Sequence, residues 1–134
     1  MRKKINGQVF LDELGLLADL LEEYGSQRVF LIADATAYGG SGASDILGPI
    51  ISGKLVFTFD DIEVNPKLVG VLACAKKIRD AKPDLLIVVG GGSAMDVAKL
   101  ANWFASEEGV ADAFLTSESS EIECRLPLVA VPTT

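Results

Sequence analysis

Basic residues are scarce in this sequence, and histidine is absent. Twelve Lys and Arg residues stand against nineteen Asp and Glu residues, which gives a net charge of −7 and a pI near 4.5. A nucleic-acid-binding surface needs clustered basic side chains to neutralise phosphates, so this composition excludes that class of partner. Any phosphate group must therefore be bound locally. The missing histidines exclude a metal centre built on imidazole ligands.

The sequence also lacks long apolar runs and a cysteine framework. No apolar stretch approaches the roughly 18 residues that a membrane-spanning helix requires. Asn6, Gln8 and Asp12 interrupt the region after the basic start, so the pattern of a secretory signal peptide is not met. Cys74 and Cys124 have no metal-type spacing and are interpreted as reduced thiols. These features predict a cytoplasmic protein without a membrane partner.

Apolar runs and helical stripes alternate along the chain. The predicted elements are a helix over 11–24 with Gly25 as its C-cap, a strand over 29–33 that ends on Asp34, a helix over 41–51 capped by Ser41 or Ser44, a strand over 54–59, a helix from Pro66 to Ala81 with Asn65 as its N-cap, a strand over 85–89, a helix from Ala94 to Ala105 and a strand over 126–134. The polar stretch 106–125 is predicted to be a surface loop with a short strand inside it. Strands separated by helices pair in parallel through right-handed crossovers. The chain is therefore predicted to be a single α/β domain with a mostly parallel sheet covered by helices on both faces.

The most informative stretch runs from the apolar strand 85–89 through Gly90, Gly91 and Gly92 into a helix. Glycines have no Cβ atom, so their backbone N–H groups can approach an anion closely. The unpaired amides and the positive dipole end of the following helix favour negative charge at the same place. The stretch therefore predicts a phosphate-binding site, with a nucleotide pyrophosphate as the leading candidate ligand.

The residues alone leave other interpretations of this turn open. The glycines could form only a tight turn, and Ser93 with Asp96 matches a capping box that serves helix stability. The pattern is not G-x-G-x-x-G, and the sequence has no Gly-Lys-Ser/Thr of a P-loop. An ordinary dinucleotide fold places an acidic residue about 20 residues after the glycines. Only Glu107, Glu108 and Asp112 lie in that region, so an ordinary Rossmann assignment is not supported.

Three polar features follow predicted strands: Asp34, the glycine turn and the pair Thr133-Thr134. The carboxyl ends of parallel strands meet at one edge of a sheet, and ligands bind beyond that edge near a switch in strand order. The sequence therefore predicts that these features lie together.

Two motifs in a fixed order carry a resemblance to a known family: Gly90-Gly91-Gly92-Ser93-x-x-Asp96-x-x-Lys99, followed by Val131-Pro132-Thr133-Thr134. They resemble the amino-terminal half of the iron-containing (group III) alcohol dehydrogenases. The stretch Glu63-Val64-Asn65-Pro66 and the strand end Ile32-Ala33-Asp34 resemble further segments of that family in the same order. The resemblance implies a Rossmann-like fold of the dehydroquinate synthase type, with residues 1–134 as the NAD(P)-binding domain.

The resemblance implies that eight residues bind the cofactor: Asp34, Asn65, Gly91, Gly92, Ser93, Asp96, Thr133 and Thr134. Gly91, Gly92 and Ser93 would contact the pyrophosphate. Asp34 would accept hydrogen bonds from the adenosine ribose and repel a 2′-phosphate, which favours NAD over NADP; a solvated strand end is the alternative. Asn65 would lie near the adenine or the ribose, with a helix N-cap as its alternative role. Thr133 and Thr134 would face the phosphates or the nicotinamide ribose, with a frayed chain end as the alternative.

Family members bind Fe²⁺, or in some cases Zn²⁺, through one aspartate and three histidines of a helical second domain. This sequence has no histidine and stops inside the segment that resembles the family's P-T-T-A-G-T-G-S-E. The resemblance therefore implies that the chain contains no metal site and no catalytic residue, and that it is inactive alone. For the intact enzyme it implies a homo-oligomer that transfers hydride between NAD, or alternatively NADP, and a primary alcohol and aldehyde pair.

Several alternatives remain at this stage. The segment 38–46 resembles family members that reduce phosphonoacetaldehyde-like substrates. Glycerol dehydrogenases and dehydroquinate synthases share the triple-glycine turn, and a non-catalytic nucleotide-binding module is the alternative outside enzymology. Lys99 is predicted to face solvent, Trp103 and Phe104 to pack, and Cys74 to be a small core residue.

Overall fold

The computed structural model describes residues 2–5, 8–11, 16–62, 66–105 and 126–133. Within these ranges a short hairpin is followed by alternating helices and strands. The elements in chain order are β1 (Arg2–Ile5), β2 (Gln8–Leu11), α1 (Leu17–Tyr24), β3 (Arg28–Ala33), α2 (Ala35–Gly40), α3 (Ala43–Ile51), β4 (Leu55–Phe59), α4 (Leu68–Ala81), β5 (Leu85–Gly90), α5 (Gly92–Phe104) and β6 (Leu128–Pro132).

Strands β3 to β6 form one parallel sheet in the order β4-β3-β5-β6. Phe30 of β3 lies opposite Leu86 of β5, which in turn lies opposite Leu128 of β6. Parallel neighbours need a crossover connection, and helices α2 to α5 lie between the strands in sequence. The predicted α/β fold with a parallel sheet is confirmed.

The central strands are buried on both faces because helices cover each side of the sheet. All residues of β5 are buried, as are those of β3 after its first residue. One core layer lies between the sheet and helices α4 and α5, and it contains Phe30, Ile32, Leu86, Val88, Cys74, Ala98 and Phe104. The other lies between the sheet and helices α1 and α3, and it contains Val29, Leu31, Ile87, Val89, Leu17, Leu21 and Leu47. The continuous apolar runs in the sequence are explained by this double burial.

The predicted helix over 11–24 is wrong in its first part. Leu11 ends β2 and pairs with Arg2 of β1 in an antiparallel hairpin that the sequence interpretation missed. The helix itself runs from Leu17 to Tyr24. Its predicted C-cap is confirmed, because Gly25 has a left-handed φ of 65° and its N–H donates to the Glu22 carbonyl at 3.1 Å.

The region after β3 contains two helices where one was predicted. Only Asp34 separates β3 from helix α2, and α3 begins at Ala43 with Gly42 as its N-cap, so neither Ser41 nor Ser44 is the cap. Ser41 still contributes, since its hydroxyl accepts a hydrogen bond from the Ala43 N–H at 3.3 Å. Glycine takes the cap position because its φ is 83°, in the left-handed region.

The start of α4 also differs from the prediction. Pro66 is not its first residue, because Lys67 has an extended backbone (φ −91°, ψ 157°) and the helix begins at Leu68. Asn65, Cys124 and the predicted loop over 106–125 lie outside the described residues. Across the ranges that the structure does describe, no helix has both the length and the apolar composition to cross a membrane.

Asp84 ties the beginnings of β3 and β5 together at the amino edge of the sheet. Its carboxylate accepts hydrogen bonds from the Ser26 hydroxyl (2.7 Å) and from the N–H groups of Gln27 (2.8 Å) and Arg28 (3.0 Å). Its own N–H donates to the Arg28 carbonyl at 2.9 Å. Desolvation raises the pKa of this carboxyl, but the three hydrogen bonds and the charge of Lys54 outweigh that effect and lower the pKa below its ordinary value of 3.8.

Asp84→Asn is expected to lower the free energy of unfolding by about 1.5 kcal/mol near neutral pH, because an amide cannot accept all three hydrogen bonds. A carboxyl group whose pKa is lower in the folded than in the unfolded protein contributes its full stability at pH values above the unfolded-state pKa. That contribution is lost as the pH falls through the folded-state pKa. The difference between wild type and variant should therefore shrink in acid below about pH 4. Urea titrations at several pH values measure this. The exposed Asp61→Asn is the control, and a pH-independent difference for Asp84→Asn would contradict the assignment.

Candidate functional site

The glycine turn lies where the order of the strands reverses. From β3 the chain first adds β4 on one side, and it then crosses back to place β5 and β6 on the other side. The switch point is therefore between β3 and β5, at their carboxyl ends. Asp34 directly follows β3, and the glycine turn follows β5. This crevice is the place where open α/β sheets bind their ligands.

Helix α5 begins inside the turn and presents its first amides there. Gly91 is the N-cap, with an extended backbone, and Gly92 is the first helical residue. The Met95 N–H donates to the Gly91 carbonyl at 3.1 Å, which is the first bond within the helix. The N–H groups of Gly92, Ser93 and Ala94 precede that bond and have no partner inside the helix. Together with the positive end of the helix dipole, they form an arrangement that favours a phosphate.

Gly90 permits the close approach of strand β5 to helix α5. A Cβ atom at Gly90 would lie 2.7 Å from the Cβ of Ala94 and 3.9 Å from the Cβ of Asp34, and the φ of this glycine is +156°. The first of these distances is a clash for any L-residue. By contrast, a Cβ atom at Gly92 would meet nothing within 4 Å. The first glycine thus serves the packing of the turn, whereas Gly92 is exposed at the helix terminus.

Asp34 is fixed at the edge of the site by its own backbone and by helix α2. Its N–H donates to the Val89 carbonyl at 3.3 Å, and its carbonyl accepts from the Tyr38 N–H at 2.8 Å. Its Oδ1 atom accepts from the Thr36 N–H at 2.9 Å, so the half-buried side chain caps helix α2. The sequence interpretation missed Thr36. An ionised carboxylate has about four acceptor positions, so capping is compatible with a further hydrogen-bond donor from a ligand.

Thr133 joins the other two features at the same edge. Its N–H donates to the Gly90 carbonyl at 3.1 Å, directly after β6, which pairs with β5 as far as Gly90 and Pro132. The structure therefore brings together Asp34, the glycine turn and Thr133, as the sequence predicts. Their roles in binding a cofactor remain predictions.

Other predicted site residues have different outcomes. Asn65 and Thr134 lie outside the described residues. The alternative interpretation of Ser93 and Asp96 as a capping box is wrong, because Gly91 is the N-cap and both residues lie within α5. Ser93 is half-buried in the first turn of α5, whereas Asp96 is exposed one turn further on. A capping box needs its serine outside the helix, and the helix here starts one residue before Ser93.

The structure confirms the predicted packing roles outside the site. Lys99 is exposed, and the rings of Trp103 and Phe104 lie 5.3 Å apart between centroids. Cys74 is fully buried, and burial raises the pKa of its thiol to about 12, an effect that Lys77 only partly offsets. A thiol with so high a pKa is a poor nucleophile at neutral pH.

A cavity of about 430 Å³ lies at the opposite edge of the sheet, near Lys82, Pro83 and Leu126. It is remote from the switch point and adjoins residues at the amino ends of β5 and β6. Among the residues that the structure describes, no group of three or more His, Cys, Asp or Glu side chains could hold a metal ion. With no histidine in the whole sequence, the residues present do not fit an imidazole-ligated metal.

The fold and the site define a Rossmann-like α/β domain with a glycine turn at its switch point. Comparison with known proteins makes the class specific. The sequence profile described as "Iron-containing alcohol dehydrogenase" matches residues 8–134, and the chain belongs to this family. The family resemblance and the Rossmann-like fold predicted from the sequence are confirmed.

Similar proteins include 4-hydroxybutyrate dehydrogenase from Cupriavidus necator, which is 32% identical over 90% of this chain and 32% of its own length. Long-chain-alcohol dehydrogenase 1 from Geobacillus thermodenitrificans is also 32% identical, over 90% of this chain and 31% of its own length. Among solved structures, sulfoacetaldehyde reductase from Bifidobacterium kashiwanohense, in complex with NAD⁺, gives a TM-score of 0.76 at 28% identity, covering 93% of this chain and 33% of that protein. The chain thus spans about a third of the length of these relatives.

Proposed function

We propose that this chain, residues 1–134, is the nucleotide-binding domain of an NAD-dependent alcohol dehydrogenase. The observation that carries the proposal is the grouping of Asp34, the glycine turn and Thr133 at the switch point of the sheet. The NAD⁺ complex of the similar sulfoacetaldehyde reductase supports the choice of a nicotinamide cofactor.

The first turn of α5 binds the pyrophosphate in this proposal. The N–H groups of Gly92 and Ser93 point from the helix terminus and have no partner inside the helix. Gly91 has no side chain to block the approach of the phosphates. Because the chain carries a net charge of −7, these local donors and the helix dipole must offset an unfavourable overall charge.

Asp34 selects the cofactor by charge. Its carboxylate is held by the Thr36 N–H at 2.9 Å and is half-buried beside the turn. Ribose hydroxyl groups donate to such a carboxylate, whereas the 2′-phosphate of NADP is repelled by it. Asn65, Asp96, Thr133 and Thr134 complete the proposed set of cofactor-binding residues, with Thr133 and Thr134 on the side of the phosphates or the nicotinamide ribose.

When bound in the intact enzyme, NAD would supply the hydride acceptor for the oxidation of a primary alcohol to an aldehyde. The residues of this chain bind and orient the cofactor for that transfer. Among the described residues no cluster of His, Cys, Asp and Glu fits a metal ion, and the sequence has no histidine, so residues 1–134 alone are proposed to be inactive. We also propose that the intact enzyme is a cytoplasmic homo-oligomer.

Asp34→Gly is expected to raise the Kd for NAD about tenfold, because hydrogen bonds to a charged group are lost. The Kd for NADP should fall or stay unchanged, since the repulsion of the 2′-phosphate is removed. Calorimetric titrations with NAD, NADP and ADP measure both effects. The ratio of the two Kd values is the readout, because loss of the α2 cap also lowers stability in a way that affects both ligands equally.

Asp60→Gly is the matched control. Asp60 is an exposed carboxylate that directly follows the neighbouring strand β4, and its removal should leave the ratio of Kd values unchanged. Equal indifference of the wild-type chain to NAD, NADP and ADP would overturn the proposed function and favour a scaffold role.

A further inference from the structure

Asn102 is one of two polar side chains that are buried in the described part of the chain, the other being Ser26. It is 1% exposed and lies near the end of α5. Its Nδ2 atom donates to the Leu126 carbonyl at 3.0 Å, and its Oδ1 atom accepts from the Leu126 N–H at 3.2 Å. One side-chain amide therefore pairs with both backbone groups of one residue, as a neighbouring strand would. A buried amide is costly without such partners, so the pair fixes Leu126 firmly.

The two hydrogen bonds between Asn102 and Leu126 fix the start of β6, and the glycine turn fixes its end. Leu126 precedes β6 at the amino edge, whereas Thr133 follows β6 and donates to the Gly90 carbonyl at 3.1 Å. Helix α5 extends between the two ends, with the glycine turn at its start and Asn102 near its end. Both ends of β6 are thus tied to the same segment, the glycine turn together with α5.

Strand β6 lies at the edge of the described sheet, so this tie adds to its pairing with β5 and to the packing of Leu128, Val129 and Val131 against the two core layers. Within the described sheet it pairs only with β5. Its residues are half-buried or exposed, unlike the fully buried β5. A slip of β6 by one residue would turn each of its side chains to the opposite face. Such a slip would move Thr133 away from the glycine turn.

We infer that Asn102 is a positioning residue for the nucleotide site: it fixes Leu126, sets the register of β6 on β5 and so holds Thr133 beside Gly90. This inference rests on the proposed function, because the position of Thr133 affects binding only if a nucleotide occupies the turn. Asn102 itself does not contact the turn, since it lies near the far end of α5.

The test uses the 134-residue chain and two variants. Asn102→Leu keeps a similar volume and removes both hydrogen bonds. Asn102→Asp keeps an acceptor for the Leu126 N–H but places a second acceptor against the Leu126 carbonyl. We expect Asn102→Leu to raise the Kd for NAD about tenfold and to speed amide hydrogen exchange at Thr133. Asn102→Asp should give intermediate values of both quantities and provides a second readout if the leucine variant does not fold.

Ser26→Ala is the matched control. It removes the other buried polar side chain, whose hydroxyl bonds Asp84 at 2.7 Å, and it leaves β6 untouched. It should lower stability without changing the Kd for NAD or the exchange at Thr133. If Asn102 variants lose stability but keep wild-type NAD affinity and Thr133 exchange, the positioning role is overturned and the proposed function stands. If the wild-type chain itself does not bind NAD, the proposed function fails and this inference fails with it.

Discussion

Gly90→Ala is expected to lower the free energy of unfolding by about 3 kcal/mol, the upper end of the cost of overpacking, and to abolish measurable NAD binding. The added Cβ atom would lie 2.7 Å from the Cβ of Ala94, and the φ of +156° disfavours any L-residue. Relief of the clash requires helix α5 to move away from β5. That movement displaces the amides of the first turn, which are the proposed phosphate ligands. Urea titration and calorimetry with NAD measure the two effects.

A second substitution, at Ala94, tests whether the clash with its Cβ atom causes the loss of stability in Gly90→Ala. Ala94→Gly removes the atom that the new methyl group would meet, at a cost of about 1 kcal/mol for glycine in a helix. The double variant Gly90→Ala/Ala94→Gly should therefore be more stable than Gly90→Ala alone. Gly70→Ala is the matched control, because a Cβ atom there meets nothing within 4 Å, and it should stabilise helix α4 by about 0.5 kcal/mol. No gain in stability in the double variant would show that the clash is not the cause.

Gly92→Ala tests binding without that strain. Its Cβ atom would meet nothing within 4 Å of the protein, so the chain should fold normally. The methyl group would still stand at the exposed terminus of α5, where the proposed pyrophosphate lies. Gly90 is thus required by the packing of the turn, whereas Gly92 is not, and the sequence motif alone does not distinguish these two glycines.

The elements that were predicted correctly carry signals that are local in sequence. Strand β5 has a continuous apolar run, and its double burial in a parallel sheet follows from that run. Gly25 follows a helical stripe and ends α1 as expected. The missed hairpin had a sequence signal as well, because the dipeptide Asn-Gly, which stands at 6–7 between β1 and β2, is the one favoured in two-residue hairpin turns. From the sequence, only Leu11 of the hairpin is assigned to the helical stripe, and no element is predicted before it.

The remaining features depend on contacts between distant residues. Asp84 accepts hydrogen bonds from Ser26, which is 58 positions away in the sequence, and from Arg28, which is 56 positions away. Hydrophobic periodicity does not predict such partners. In the sequence, Asn102 is not distinguished from any other polar residue of a helix. Its role depends on Leu126, which the fold places next to it. The start of α4 is likewise not predictable from its local sequence signal. Asn65-Pro66 is a good local start signal, but Lys67 is extended in the folded chain and the helix begins only at Leu68.

Leu86→Ala is expected to lower the free energy of unfolding by about 3 kcal/mol, the usual cost of a leucine truncated in a rigid core. Leu86 is fully buried in β5, between Phe30 of β3 and Leu128 of β6. Its side chain belongs to the core layer beneath α4 and α5, so the cavity left behind cannot be filled from solvent. The midpoint of urea unfolding measures the loss.

Leu55→Ala is the matched control, since it makes the same change in the neighbouring strand β4. Leu55 is 51% exposed, and surface substitutions of this kind change stability by only about 0.5 kcal/mol. Because the chemistry removed is identical, the difference between the two variants isolates the burial of the central strand. Strand β5 leads into the glycine turn. A small loss of stability in Leu86→Ala would therefore mean that β5 is not held rigidly between its neighbours. The placement of Gly90 and of the first amides of α5 relative to Asp34 would then lose its structural basis.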